Sequence, residues 1–446
     1  MSTSDIIKDI KAKDVTPQYW DFKENDKREH VHSMIKYPAV MVPNMQGEIF
    51  DIILKNDNNI SNVLDPFMGS GTILVEGLLR GLDVHGIDIN PLSYLAVSVK
   101  LNKYNIRKLK EKSDSLLSRI KDSKIQCENY SFDNINKWYT PNVVKQLSKI
   151  RFCILQENEL KYRQFFWVTF AEIAKQADNS RTSTFKLHIK EKSIIENWQF
   201  DCNDAFNVKL SENINAIQEF SNIINTSNNK VKASIKYGDS LKVLSDRRII
   251  KDDSIDLIIT SPPYGDNATT ITYGQFSILP LKWIPICDIS KDLNEKTVQS
   301  LSKIDSDSLG GHKYTVNSIV SSNLFNYSHS FSNLYNQLCK DNRIDKAIKV
   351  ASFFIDLEKI ILLLHRVIKP KKYMVFTVGN RHVNKKEVPF DEILSSIAEN
   401  YGFKVVYDFR RNILKNKNYT DSKAQNYKTI KKETIIVLQK KPNNDL

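Results

Sequence analysis

The sequence predicts an α/β protein built on a doubly wound, mostly parallel sheet with a large, mainly helical insertion. Three observations predict this class. Short apolar runs alternate with segments of helical period, a glycine-rich turn joins the first strand to the next helix, and 446 residues of 41% hydrophobic content can bury a large core. We expect the sheet to form from residues 31–100 and 232–446, after an N-terminal extension over residues 1–30.

The first predicted unit of the sheet is a strand, a glycine turn, a helix and a second strand. Residues 48–56 have apolar positions at helical spacing, and SNVLDPF at 61–67 is typical of a buried strand that Pro66 stops. TILVEGLLRGL at 72–82 predicts a helix, and VHGIDI at 84–89 predicts the next strand. This βαβ order predicts parallel strands with a right-handed crossover.

The same alternation resumes after residue 232. Strands are predicted at 233–240, 254–264, 373–380, 403–410 and 434–440, and helices at 353–368 and 391–402. Alternation of this kind indicates a doubly wound α/β domain.

Two stretches do not fit a compact sheet. Residues 101–231 have apolar positions at helical spacing and more basic than acidic residues, which predicts a basic helical insertion. Residues 266–345 are rich in Ser, Asn and Asp and are nearly neutral. Because of this composition, we interpret them as a long loop-like insertion within the sheet domain. Loops of this length are usually functional or mobile.

The charge of the chain suits a polyanionic partner. The net charge is +13 and the isoelectric point is near 9.2, and phosphates attract Lys and Arg while counterions are released. A competing interpretation is compositional, because the chain is rich in Lys, Ile and Asn, and such chains are often basic without binding anything. Charge therefore favours nucleic acid without deciding the question.

The sequence predicts a cytoplasmic protein with no membrane segment. It has no run of about 18 apolar residues, and its first residues lack the basic and then apolar layout of a secretory signal. The cysteines form no CxxC pair or His/Cys cluster, so neither a disulfide framework nor a metal site is predicted. They are Cys127, Cys153, Cys202, Cys287 and Cys339.

The string DPFMGSGT at 65–72 predicts a nucleoside cofactor site. Gly69 and Gly71 lie between a strand end and a helix start, where close backbone approach and the positive helix terminus favour a bound carboxylate. Asp65 could accept from an ammonium group, and Asp88, at the end of the second strand, from two ribose hydroxyls. A structural turn and a helix cap are the alternative. The string looks like the loop that binds S-adenosylmethionine, and it lacks the GxxxxGK of a phosphate-binding loop.

The string TSPPYG at 260–265 follows an apolar strand directly and predicts methylation of an amino group. An exocyclic amino group of a base is a poor nucleophile because its lone pair is delocalised into the ring, so acceptors must polarise its N–H bonds. The Ser261 hydroxyl and the Pro262 carbonyl are two acceptors, and Pro262 and Pro263 make the loop rigid. Tyr264 is expected to stack on a base that has left the duplex. A proline-rich loop without chemistry is the alternative.

With these two strings, the chain resembles the S-adenosylmethionine-dependent DNA amino-methyltransferases of bacterial restriction-modification systems. Within that family SPPY is typical of the cytosine-N4 branch, whereas Asp or Asn in place of Ser is typical of adenine-N6 enzymes. The resemblance implies a Rossmann-like methyltransferase fold, S-adenosylmethionine as cofactor, and methyl transfer to the N4 amino group of a flipped-out cytosine in double-stranded DNA. It also implies a cognate restriction endonuclease that acts on the same site. Methylation at cytosine C5 is excluded because no cysteine follows a proline.

The resemblance assigns further residues to the cofactor site. HSMIKYPAVMVPNM at 32–45 is similar to the family's segment before the cofactor loop, which implies that Tyr37 and Pro38 lie near the methionine moiety. KYGDS at 236–240 is similar to the family's third strand, which implies that Asp239 approaches the adenine. In the cofactor loop, the residues so assigned are Asp65, Phe67, Gly69, Ser70, Gly71 and Thr72.

The resemblance continues in two later segments and has one departure. FTVGNR at 376–381 and FRRNILKNKN at 409–418 are similar to later strands and a basic loop facing DNA. The departure is that 151 residues separate Asp88 from Asp239, whereas the family's catalytic domain usually needs a few tens.

The insertion at residues 101–231 has two possible roles. It is either a target-recognition domain that reads base edges in the major groove, or a helical cover that stabilises the cofactor site. The rival recognition element is residues 266–345, beside the catalytic loop. Candidate base readers in the insertion are Trp138, Tyr162, Arg163, Trp167 and Arg181.

Other functions remain as alternatives. The nearest is adenine-N6 methylation of DNA, followed by an RNA methyltransferase that acts on a guanine amino group, and by a catalytically inactive methylase-like protein that only binds DNA. Retention of the glycine loop together with SPPY argues against the inactive protein. The sequence predicts neither the recognised DNA site nor the oligomeric state.

Overall fold

The computed structural model describes residues 3–22, 29–182, 186–226, 230–267, 270–413 and 430–442. Within these ranges, seven strands form one mostly parallel sheet and two short strands form a separate hairpin. The strands are β1 (Asn62–Asp65), β2 (Asp83–Asp88), β3 (Ala233–Tyr237), β4 (Ile255–Thr260), β5 (Ile368–Val378), β6 (His382–Val383), β7 (Lys386–Glu387), β8 (Phe403–Asn412) and β9 (Lys432–Lys440).

The strand order of the main sheet is β3-β2-β1-β4-β5-β9-β8. Strands β1 to β5 pair in parallel, whereas β9 lies antiparallel between β5 and β8. The chain reverses direction across the sheet after β1, which brings the carboxyl ends of β1 and β4 side by side. Ligands bind at this kind of switch point in open α/β sheets. The predicted doubly wound, mostly parallel sheet is confirmed.

The core lies on both faces of the sheet because the central strands are buried on both sides. All six residues of β4 are buried, as expected for a parallel strand covered by helices on both faces. Alternate residues enter different clusters: Leu257 packs into one with Val63, whereas Ile258 packs into the other with Leu64. The first cluster contains the N-terminal helices and the helical insertion, and the second contains the helices that precede and follow β5.

The helices before β3 include those of the insertion. They are α1 (Thr3–Asp14), α2 (Pro43–Asn56), α3 (Thr72–Leu79), α4 (Pro91–Leu101), α5 (Ile106–Lys121), α6 (Ile135–Trp138), α7 (Pro141–Leu155), α8 (Leu160–Gln176), α9 (Lys192–Asn197) and α10 (Cys202–Thr226), with 3-10 turns at Tyr19–Asp21 and His30–Ser33. The predicted helical character of residues 101–231 is confirmed for the part of the insertion that the structure describes.

The helices after β3 are mostly short. They are α11 (Ser240–Ser245), α12 (Tyr273–Trp283), α13 (Ile286–Ile289), α14 (Glu295–Gln299), α15 (Lys303–Asp307), α16 (Val316–Val320), α17 (Leu324–Tyr327), α18 (His329–Lys340), α19 (Ile344–Val367) and α20 (Phe390–Asn400).

The loop-like interpretation of residues 266–345 is wrong. The described part of this segment folds into seven helices, α12 to α18, followed by the start of α19. The Ser, Thr and Asn residues that suggested a loop are partly helix caps: the side chains of Asn294, Thr315 and Ser328 accept hydrogen bonds from backbone N–H groups in the first turns of α14, α16 and α18. Cap residues are polar for this reason, so a chain of short helices has the composition of a loop.

Most candidate base readers of the insertion are core residues. Trp138, Tyr162 and Trp167 are buried in the main hydrophobic cluster. Arg163 is paired with the carboxylate of Asp288 through two contacts of 2.7 Å. Arg181 is exposed. The aromatic side chains at helical spacing fill a core here, so Trp138, Tyr162 and Trp167 cannot reach base edges in this arrangement.

The N-terminal extension covers the edge strand β8. Trp20 is buried against Phe409 of β8, with ring centroids 4.4 Å apart. Asp21 accepts a hydrogen bond of 2.7 Å from the backbone N–H of Asn412. An edge strand exposes unpaired backbone groups, and a covering segment protects them from pairing with another chain. No helix in the described ranges is long and apolar enough to cross a membrane.

Candidate active site

Asp65 joins the two loops that the sequence singles out. It ends β1 and is buried, and its Oδ1 accepts from the Phe67 backbone N–H at 3.0 Å and from the Thr260 hydroxyl at 2.7 Å. Its Oδ2 is buried and has no hydrogen-bond partner among the described residues. Burial raises the pKa of Asp65 to about 7, so a cation beside the unpaired oxygen would favour the ionised form.

The glycine loop needs the backbone freedom of its two glycines. Gly69 and Gly71 have φ values of +47° and +80°, in the left-handed region. A Cβ added to Gly71 would lie 2.8 Å from Val97 Cγ2 of α4. Gly71 is also the residue before α3, so the loop brings backbone N–H groups of the helix terminus to the cavity side of the sheet.

Asp88 holds this loop from the neighbouring strand. Its Oδ2 accepts from the Gly69 backbone N–H at 2.7 Å, and its Oδ1 accepts from the Asn90 N–H at 2.8 Å. Burial raises the pKa of Asp88. Each carboxylate oxygen has a second lone pair, so the side chain can still accept from ribose hydroxyls.

Tyr37 is fixed by a residue that the sequence analysis missed. Its hydroxyl accepts from Asn90 Nδ2 at 3.0 Å, and Asn90 also donates to Ser277 Oγ at 2.8 Å. The Tyr37 ring stacks on Tyr273, with centroids 5.7 Å apart. The available signal was the NP pair that follows the second strand, where Asn90 caps α4. Asn90 therefore links the segment before the cofactor loop to the helix after the catalytic loop.

Asp239 lies at the far end of the same sheet edge. It caps α11, where its Oδ1 accepts from the Leu241 N–H at 3.0 Å. Burial raises the pKa of Asp239. Its other carboxylate oxygen is available to a group bound beside β3.

One cavity of about 220 Å³ connects the cofactor loop to the catalytic loop. It is lined by these predicted residues: Tyr37, Phe67, Gly69, Ser70, Thr72, Asp88, Asp239, Ser261 and Pro263. The other predicted site residues are not in its lining: Pro38, Asp65, Gly71, Pro262 and Tyr264. Sequence segments almost two hundred residues apart thus share one space.

Residues of the second insertion and of α19 complete the cavity wall. Leu309, His312 and Tyr314 line it together with Asp356 and Lys359. The Tyr314 hydroxyl donates to Asp356 Oδ1 at 2.7 Å, and the Gly310 N–H donates to its Oδ2 at 3.1 Å. No sequence motif predicts this wall, because it forms only when a polar segment folds back over the sheet.

The side chains of the catalytic loop after β4 lie in two different places. Ser261 lines the cavity, whereas the Tyr264 ring packs edge-on against Phe390, with centroids 6.4 Å apart. The Tyr264 hydroxyl donates to Glu433 Oε1 at 2.9 Å and lies 3.4 Å from Ser261 Oγ. Burial is the main cause that raises the pKa of Tyr264, and the negative charge of Glu433 adds to it.

A second missed residue, Asn267, lies just after the catalytic loop. It is buried in the cavity lining, and its Oδ1 has no hydrogen-bond partner among the described residues. The later segment FTVGNR contributes Arg381, which is buried and lies 3.6 Å from Asp266. Residues 414–418 of the segment at 409–418, which is similar to a basic loop facing DNA, lie outside the described residues.

Comparison with known proteins identifies the family. No family model matches the chain. The Type II methyltransferase M.MvaI of Kocuria varians is 31% identical over 439 residues, which cover 95% of this chain and 94% of that protein. The chain belongs to the Type II methyltransferases. The Type II methyltransferase M.BsoBI of Geobacillus stearothermophilus is 24% identical over 426 residues, which cover 85% of this chain and 80% of that protein.

The likeness of this Type II methyltransferase to a solved structure is weak. The rRNA methyltransferase AviRa of Streptomyces viridochromogenes is 10% identical, with 90% of this chain and 86% of that chain covered, at a TM-score of 0.32. The fold assignment rests instead on the strand order.

The methyl donor is S-adenosylmethionine, and the residues present fit it. The open backbone at Gly69 permits close approach, and Asp88 and Asp239 offer acceptors along the cavity. The unpaired oxygen of Asp65 has the chemistry to accept from the ammonium group, although it is buried outside the cavity lining. Within the described ranges, no group of three or more His, Cys, Asp or Glu side chains could hold a metal ion.

Proposed function

We propose that this Type II methyltransferase is a site-specific DNA methyltransferase that acts on the exocyclic N4 amino group of cytosine. The observation that carries the proposal is the shared cavity: Ser261 and Pro263 of the catalytic loop line the same space as Gly69 and Asp88 of the cofactor site. A group that accepts a methyl and the site for the donor can therefore lie side by side, which direct transfer requires.

The catalytic loop supplies what a weakly nucleophilic amino group needs. Ser261 Oγ and the Pro262 carbonyl can accept hydrogen bonds from the two N–H groups of the amine, which directs its lone pair toward the donor. Both prolines restrict the loop, so little reorganisation accompanies the reaction. S-adenosylmethionine supplies an electrophilic methyl group on a sulfonium centre.

DNA is the proposed substrate, and the target base must leave the duplex. The cavity is a concave space of about 220 Å³ in which Ser261 and Pro263 are only partly exposed, so a base stacked within a helix cannot reach it. The net charge of +13 supports binding to the phosphate backbone. Membership of the Type II methyltransferases supports double-stranded DNA as substrate and, as part of the proposal, a restriction endonuclease of the same specificity.

Cytosine is the proposed target base because Ser261 occupies the first position of the catalytic string. In the family that the chain resembles, serine at this position is typical of the cytosine-N4 branch, whereas aspartate or asparagine is typical of adenine-N6 enzymes. The buried residues of the insertion at 101–231 support its role as a helical cover that stabilises the cofactor half of the sheet. Its exposed positions, such as Arg181, and the unburied parts of residues 266–345 are the proposed sources of sequence reading.

The test is product analysis after methylation with labelled cofactor. We expect purified protein, S-adenosylmethionine and unmodified DNA to yield N4-methylcytosine after hydrolysis to nucleosides. N6-methyladenine as the sole product would overturn the base assignment, and label in RNA alone would overturn DNA as the substrate. The Ser261→Ala variant should bind the cofactor normally and form little product, whereas loss of cofactor binding would contradict the role given to Ser261.

A further inference from the structure

We propose that Glu433 is a positioning residue for methyl transfer. It fixes the direction of the hydrogen bonds through Tyr264 and Ser261, so that Ser261 presents a lone pair, not a proton, to the target amino group. This inference rests on the proposed function, since it concerns how the same loop polarises its substrate.

Glu433 is held from both sides beside the catalytic loop. It lies on β9 and faces Arg411 of β8 in register. Its Oε2 accepts from Arg411 Nη1 at 2.8 Å, and its Oε1 accepts from the Tyr264 hydroxyl at 2.9 Å. The Arg411 side chain is only 5% exposed and that of Glu433 is 17% exposed, so both groups keep one arrangement.

The chemistry of the groups determines the direction of the chain of contacts. A carboxylate has no proton to give, so Tyr264 must donate to Glu433. The phenol oxygen then has only lone pairs left, and the Ser261 hydroxyl, 3.4 Å away, can donate a long hydrogen bond to it. Ser261 thereby uses its single proton on the side away from the cavity. Its lone pairs remain for a group inside the cavity that Ser261 lines.

The opposite orientation would oppose the reaction. An amino group directs its N–H bonds at Ser261, so a serine proton that points into the cavity would face another proton. Free rotation of the serine hydroxyl populates both orientations, and reorganisation would be needed before each transfer. Glu433 removes that reorganisation without touching the substrate.

A purely structural role is the competing explanation. Glu433 could serve only to pair with Arg411 across two antiparallel strands, which would stabilise the sheet and leave the chemical step unaffected. The two explanations differ in what they predict for the Tyr264 hydroxyl, because Tyr264→Phe keeps the aromatic ring and the Glu433–Arg411 pair.

The decisive variant is Glu433→Gln, which keeps the shape of the side chain and reverses the direction of the hydrogen bonds through Tyr264 and Ser261. Arg411 has no acceptor, so it should hold the carbonyl oxygen of the glutamine and turn the NH₂ group toward Tyr264. Tyr264 would then donate to Ser261, which would direct the serine proton into the cavity. We expect kcat to fall about tenfold or more, with unchanged dissociation constants for S-adenosylmethionine and DNA. Tyr264→Phe should lower kcat by a smaller factor, since it frees the serine instead of reversing it.

Two comparisons separate positioning from structure. The matched control is Tyr401→Phe, which removes another phenol that donates to a glutamate, Glu358, at 2.8 Å, away from the cavity lining. It should keep full kcat. In a Ser261→Ala background, Glu433→Gln should lower kcat no further, because the group that it orients is gone. Thermal unfolding of each variant reports on folding.

The outcomes are distinguishable from failure of the proposed function. If wild-type protein forms N4-methylcytosine while Tyr264→Phe and Glu433→Gln retain wild-type kcat, the positioning role is overturned and the function stands. The positioning role would also be overturned if Glu433→Gln lowered kcat by the same factor in the wild-type and Ser261→Ala backgrounds. Absence of N4-methylcytosine from the wild-type reaction would instead count against the function itself.

Discussion

Asp65 and Thr260 are joined by a hydrogen bond of 2.7 Å, although 195 residues separate them in sequence. Asp65 is the last residue of β1 and Thr260 is the last residue of β4, so the bond ties the two strand ends from which the cofactor loop and the catalytic loop begin. The relative position of donor and acceptor sites is therefore set at the base of both loops, within the buried core of the sheet.

Asp65 should make cofactor binding depend on pH. Burial raises the pKa of Asp65 from 3.8 to about 7, so in the empty protein its ionisation lowers the free energy of unfolding as pH rises between these two values. A bound ammonium group favours the carboxylate, so the affinity for S-adenosylmethionine should increase as pH rises through the folded pKa. Calorimetry from about pH 6 to about pH 8 measures this slope. Asp65→Asn should flatten it, and an identical slope in both proteins would contradict the role of Asp65.

Gly71 should not tolerate alanine. Its φ of +80° is strained for any residue with a Cβ, and that atom would lie 2.8 Å from Val97 Cγ2. Gly71→Ala should lower the free energy of unfolding by about 2–4 kcal/mol and weaken cofactor binding. Chemical denaturation measures the loss. With Val97→Ala present, the additional cost of Gly71→Ala should shrink to the backbone strain, and simple additivity would show that the contact is unimportant.

Asn90 should stabilise the cofactor cavity through its amide. Asn90→Ala removes the donors to Tyr37 and Ser277, both from buried positions. We expect a loss of about 1–3 kcal/mol in the free energy of unfolding and weaker cofactor binding. Tyr37→Phe isolates the contact with the tyrosine, since it keeps the ring stacked on Tyr273. If cofactor affinity is unchanged in Asn90→Ala, the residue supports only the fold.

Asp288 should stabilise the protein without setting its DNA specificity. It accepts from Arg163 through two contacts of 2.7 Å and from Trp167 Nε1 at 2.8 Å, which joins the helical insertion to residues 266–345. Asp288→Ala removes the acceptor of three N–H groups on two buried or partly buried side chains, so the free energy of unfolding should fall by about 2–4 kcal/mol. Sequencing of methylated DNA should show the same recognised site as the wild type. A changed site would mean that this contact between the two insertions helps to set the recognised sequence.

The sheet and the two loops could be predicted from the sequence because their signals are local. An apolar strand followed by a glycine turn, or by two prolines, places a loop at a strand end whatever the rest of the chain does. The continuous apolar run of β4 predicts a buried parallel strand. It does not predict that Leu257 and Ile258 pack on opposite faces of the sheet, in two different clusters.

The missed features depend on tertiary structure. Trp138 and Trp167 have the chemistry of base readers, but the packing of helices around them makes them core residues. Asn267 and Glu433 carry no motif, and the NP pair at Asn90 indicates only a helix cap. Their roles at the site arise from elements that come together only in the fold. The strand order could not be read from the pattern either, since nothing in the sequence of β9 reveals that it inserts between β5 and β8.

That insertion of β9 has a consequence for the order of events during synthesis. Strand β8 is made before β9 but pairs only with it, so β8 has no place in the sheet until the ribosome has passed residue 440. Glu433 arrives with the same strand, after every residue of the cavity lining. A nascent chain can therefore form its cofactor half before the partner of Tyr264 has been synthesised. We expect methylation competence only after β9 has been made and has entered the sheet.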